Sequence, residues 1–151
     1  MAVWFATCAL ALLLAAVAAF DIRTQRIPDA LNALTLGAGL VATILLSRDL
    51  PAALLGVGIG YGAFWALNVL FRAWRGRDGI GMGDAKLAAA LGAWIGWTGL
   101  PFAALIASAL GLAFVAGRRV AGREMGAQDA LAFGPFLALA GFVVWVVSAH
   151  V

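Results

Sequence analysis

The chain has 151 residues, 65% hydrophobic and 11% charged, with a net charge of +3. Soluble domains carry about 25% charged residues, so this composition excludes an ordinary soluble protein and points to one membrane-embedded all-α domain over residues 1–151. Scattered basic residues exclude a nucleic-acid surface, and the lone Cys8 excludes an internal disulfide or a zinc-type cysteine cluster.

A membrane crossing needs about 20 apolar residues, and six runs are candidates: 2–20, 31–47, 52–71, 85–98, 100–117 and 131–149. The first ends in AAVAAF, like a cleavable signal, but no basic stretch precedes it, so it reads as a retained span. Cys8 within it packs or faces lipid. The loop DIRTQRIPDA follows. Pro28 restricts Ile27 to extended geometry and suits the first turn of the next helix, which places Asp29 in that turn. Pro28, Asp29 and Asn32 read as structural. In the third run, GVGIGYGAF offers small residues for close helix approach. The loop RAWRGRDGIGMGD leads into the short fourth run, a GLP turn separates the fourth and fifth, and RRVAGREMGAQDA precedes the sixth.

Charge fixes an expected orientation. Arg23, Arg26, Arg72, Arg75, Arg77, Arg118, Arg119, Arg123 and Lys86 fall on one side of the six spans, and only Arg48 on the other. The positive-inside rule makes the first side cytoplasmic and both termini extracytoplasmic. Trp4, Trp94, Trp97 and Trp145 read as an outer aromatic belt, with Trp74 at the inner interface.

Two acids abut apolar spans at that cytoplasmic side, Asp21 after the first and Asp84 at the start of the fourth. Two carboxyls in one partly dehydrated site do not ionise together easily. The charged one can take a proton from water while the neutral one hydrogen-bonds a scissile carbonyl. Asp84 alone also fits a simple helix cap, and Asp21 a membrane boundary marker. Neither alternative explains Gly79, Gly81 and Gly83 before Asp84, which open backbone angles and access closed to other residues. Lys86 snorkels to the interface or holds a charge near Asp84.

Three blocks, DIRTQRIPDALN, GMGDAKLAAALGAWIGW and FGPFLALAG, resemble in order those of the prepilin peptidases, the GxGD membrane aspartyl proteases also called type IV leader peptidases. The resemblance implies that Asp21 and Asp84 are the catalytic pair, that Gly81 and Gly83 are the motif glycines and Lys86 the motif lysine, and that Pro28 and Asp29 help shape the site. It implies no cofactor and no metal. It implies a prepilin or pseudopilin substrate, cut before its hydrophobic helix at the cytoplasmic face of the bacterial inner membrane. Many members add a zinc-binding cysteine domain and methylate the new N-terminus. This sequence has no such cysteines, so it looks like a stand-alone peptidase, similar to those of tight-adherence (Flp) pilus systems, that cleaves without methylating. The alternative is a non-catalytic membrane assembly partner or a decayed peptidase. A small transporter would need acids near the bilayer middle or an inverted repeat, and neither is found.

Overall fold

The computed structural model describes residues 1–76, 81–122 and 132–150. Their secondary structure is helical throughout: α1 (Ala2–Thr24), α2 (Asp29–Leu45), α3 (Leu50–Arg75), α4 (Met82–Val120) and α5 (Gly134–His150). Three of these are long and apolar enough to cross a membrane, Ala2–Thr24, Leu50–Trp74 and Met82–Val120, while Asp29–Leu45 and Gly134–Ala149 are shorter apolar helices. Large apolar side chains such as Phe5, Leu12, Leu70 and Phe102 are mostly exposed. Water does not tolerate that much contiguous apolar surface, but lipid does.

Local chemistry sets the helix ends. α1 stops where Gln25 turns left-handed (φ 51°) and returns its N–H to the Asp21 carbonyl at 2.8 Å. Pro28 (φ −60°, ψ 134°) is the last extended residue before α2, so Asp29 is the first helical one. Asp49 caps α3 by accepting the Ala52 N–H at 3.0 Å, with Pro51 in the first turn.

The expected break between the fourth and fifth runs is displaced. Gly99, Leu100 and Pro101 are helical, and the chain breaks at Gly96, with φ 66° and ψ 177°. That backbone region is open essentially only to glycine. Pro101 lies five residues after the break, inside the second half of α4. Contacts with α5 show that the two halves of α4 run in opposite directions. A side chain on Gly141 would meet Leu91, and Trp94 meets Trp145, so the first half runs with α5. A side chain on Gly99 would meet Val144, and Phe114 meets Phe136, so the second half runs against it.

The first half of α4 is the centre of the bundle. Ala85 and every residue from Leu87 to Ile95 are buried. α3 presses against it backbone to backbone: a Cβ on Gly92 would fall on the Gly56 carbonyl, and one on Gly60 on the Ala88 carbonyl. α2 reaches it through Thr43, whose hydroxyl donates to the Ala93 carbonyl at 3.0 Å.

The aromatic-belt expectation is corrected for two residues. Trp94 and Trp145 are buried inside the bundle, in an edge-to-face pair with centroids 5.1 Å apart. Each indole N–H has an internal acceptor, the Thr35 carbonyl for Trp94 (2.9 Å) and the Thr7 hydroxyl for Trp145 (3.0 Å). That satisfaction lets a polar-edged ring leave the interface. Trp4, Trp74 and Trp97 are exposed.

The helix directions divide the bundle into two ends. Asp21, Pro28, Asp84 and Gly134 share one; Arg48, Gly96 and Ser148 share the other, where the Arg48 guanidinium lies 4.7 Å from the centre of the Trp145 ring.

Gly92→Leu should cost at least about 1–3 kcal/mol, the usual penalty for overpacking, and lower the thermal unfolding midpoint in detergent. Gly58 faces open space, so Gly58→Leu should stay within about 0.5 kcal/mol of wild type in the same measurement.

Candidate active site

Asp21 lies one turn before the end of α1 and is only 5% exposed. Its Oδ2 accepts the Gly134 N–H at 3.0 Å. Gly134 opens α5, so that N–H is one of the helix-start donors without an intrahelical acceptor. A Cβ on Gly134 would stand 2.6 Å from Asp21 Oδ2, so only glycine brings its backbone this close.

Asp84 lies in the first turn of α4, half-buried, and its N–H donates to the Gly81 carbonyl at 3.0 Å. Gly83 packs on Ile27: a Cβ there would lie 3.4 Å from Ile27 Cβ. Ile27 is buried, and its Cδ1 also limits Gly134. One apolar side chain thus fills the space between the turn carrying Asp84 and the start of α5.

The two carboxyls line one cleft of about 330 Å³ with Gln25, Arg26, Ile27, Asp29, Gly81, Met82, Gly83 and Lys86. Lys86 does not pair with Asp84. Its Nζ meets Asp29 Oδ1 at 2.6 Å in an exposed ion pair that ties the first turns of α2 and α4 together. Asn32 adds a second tie, donating from Nδ2 to the Gly83 carbonyl at 3.3 Å.

Of the residues expected at the site, Asp21, Asp29, Gly81, Gly83, Asp84 and Lys86 converge on this cleft, and Pro28 supports its rim by directing the chain into α2. Gly79 lies outside the described residues, as do Arg77 and Arg123 of the basic side. Sequence reasoning missed Gly134 and Ile27 as site residues. The Phe-Gly-Pro block and the Ile-Pro pair were the available signals, but neither says which backbone group meets a carboxylate. Among the described residues, no group of three or more His, Cys, Asp or Glu is placed to hold a metal ion. Two carboxyls sharing a cleft have the groups needed to activate a water and to hydrogen-bond a carbonyl.

Residues 8–116 match the type IV leader peptidase family. The chain belongs to that family. It is similar to proteins named prepilin leader peptidase/N-methyltransferase: 42% identical over 128 residues to one from Dickeya chrysanthemi, covering 83% of this chain and 44% of that protein. It is 43% identical over 129 residues to one from Burkholderia pseudomallei (strain K96243), covering 85% and 41%. It is 40% identical over 132 residues to one from Pseudomonas putida, covering 86% and 45%. The chain therefore spans less than half the length of these relatives. No solved structure matches it.

The packing of Gly83 on Ile27 is open to a direct check. A disulfide needs Cβ atoms about 3.5–4.5 Å apart, close to the 3.4 Å found here. In a Cys8→Ser background, Ile27→Cys with Gly83→Cys should cross-link under mild oxidation and resist maleimide labelling. Asp49→Cys with Gly83→Cys, at opposite ends of the bundle, should label fully.

Proposed function

We propose that the chain is a membrane-embedded aspartyl endopeptidase that removes the basic leader of prepilin or pseudopilin substrates. Asp21 and Asp84 are its catalytic pair. The observation that carries this reading is their meeting in one cleft although they belong to different helices. Family membership supports the substrate class, because the relatives' names carry prepilin leader cleavage.

In this reading, one carboxylate takes a proton from water as the water attacks the scissile carbonyl. The other, protonated, hydrogen-bonds the carbonyl oxygen and then supplies the proton to the leaving amine. The pair titrates as a unit. Gly81 and Gly83 leave room for an extended peptide backbone beside Asp84.

The protein crosses the bacterial inner membrane six times, with α4 counted twice through its reversal at Gly96. α2 and α5, at 17 residues each, sit at the short end of the range of about 17–25 for a crossing helix. The cleft faces the cytoplasm, and both termini face away from it. Arg23, Arg26, Arg72, Arg118 and Arg119 border the cleft end of the helices while Arg48 stands at the other, which supports that orientation. These 151 residues carry the cleavage activity without the methylation. One cysteine and one histidine give no zinc-binding cluster of the kind associated with the two-function enzymes.

The test is cleavage of a co-expressed Flp-type prepilin in membranes, with the intact mass of the product recorded. Wild type should cleave and leave an unmethylated N-terminus. Asp21→Asn and Asp84→Asn should each lose at least about 100-fold in rate, the lower range of acid–base contributions, at unchanged abundance. Full processing by both variants would exclude the dyad. Well-expressed wild type that cleaves no Flp, type IV or secretion prepilin would favour a non-catalytic assembly partner.

A further inference from the structure

Asn32 is 4% exposed in the first turn of α2, and it makes one side-chain hydrogen bond across the bundle, from Nδ2 to the carbonyl of Gly83. Gly83 immediately precedes Asp84. The other end of the amide, Oδ1, is buried and finds no partner among the described residues. A buried acceptor left without a donor is a cost that an apolar residue of the same shape would avoid. Leucine has nearly that shape, and the neighbourhood is apolar, with Ile27 buried alongside Gly83. An asparagine here is therefore a poor choice for packing alone.

The geometry points to what it does. The start of α4 is held on the α2 side by two contacts, the Asp29–Lys86 ion pair just after Asp84 and the Asn32–Gly83 hydrogen bond just before it. The ion pair is exposed, with Asp29 75% accessible, so solvent screens it. The Asn32 bond is shielded and directional, and it grips the peptide unit that links Gly83 to Asp84. We propose that Asn32 is a positioning residue for Asp84: by holding the Gly83 carbonyl it fixes the turn that presents the Asp84 carboxyl to Asp21. This rests on the reading of Asp21 and Asp84 as the catalytic pair. Its signature is a residue that costs stability yet supports turnover, because a small displacement of a reacting group is enough to lose rate.

The experiment uses the full chain in membranes with the same prepilin. Asn32→Leu should cleave at least 10-fold more slowly in kcat with KM within 2-fold, and its unfolding midpoint in detergent should equal or exceed that of wild type. Asn32→Asp keeps the shape and regains a donor only when protonated. Its activity relative to wild type should therefore rise as pH falls from 8 to 5.5. The ionised form also adds a negative charge beside the cleft that holds Asp21, Arg26, Asp29, Asp84 and Lys86. That charge lowers activity in the same pH direction, so the kcat loss and unfolding midpoint of Asn32→Leu decide the proposal. Asn32→Leu cleaving within 2-fold of wild type would overturn the proposal. So would a loss that accompanies a lower unfolding midpoint, which would make Asn32 a scaffold residue only. Wild type that cleaves nothing, or an active Asp84→Asn variant, would instead remove the catalytic reading, and the role of Asn32 with it.

Discussion

The closeness of α3 to the first half of α4 is the constraint on which the rest depends. Membrane helices gain little from the hydrophobic effect when they meet, because lipid is as apolar as they are, so contact must come from tight packing. Gly56 and Gly60 on one side, and Ala88 and Gly92 on the other, remove the side chains that would hold the backbones apart. The first half of α4 thereby becomes a thin central rod that α2, α3 and α5 can all touch. Asp84 stands at the tip of that rod, so its position is set by packing along the helix as much as by the turn that precedes it.

Polar groups inside the bundle serve the same end. Thr7, Thr35 and Thr43 each lie on a helix face that meets α4 or α5, and each brings a hydroxyl or a carbonyl to a group on another helix. In an apolar interior such pairings fix the rotation of one helix about its axis relative to its neighbour. Trp94 and Trp145 lock the end of the bundle remote from the cleft, and Arg48 lies over the outer ring. At the opposite end Asp21 is held by the Gly134 N–H. Each end of α5 is tied to a different turn of α1.

Much of this was legible in the sequence because membrane helices declare themselves by composition. The apolar runs located every helix among the described residues, and the residues flanking Asp21 and Asp84 pointed to the cleft. The pieces that were not legible have particular causes. The reversal was expected at Gly99–Pro101, where Gly and Pro coincide, but those residues are helical and Gly96 is the glycine that takes φ 66° with an extended ψ. Trp94 and Trp145 look interfacial by position, and only their hydrogen-bond partners, distant in sequence, reveal them as core. Lys86 was expected to reach solvent or Asp84, and its partner Asp29 follows from the packing of α2 on α4. Gly134 is one glycine among 19, and nothing local marks its N–H as the group that meets Asp21.

The reversal at Gly96 changes how this chain can be cut and rebuilt. Two antiparallel helical segments are joined there through one residue in a Gly-only conformation, with no loop between them. A protease requires several residues of extended, accessible backbone, and this junction offers none. An inserted epitope or a new chain terminus would have to unwind helix on both sides, including the buried residues up to Ile95. The Ser47–Asp49 turn at the same end does leave the helical path between α2 and α3. Of these two connections, it is the place to attach a probe without disturbing the rod that ends in Asp84.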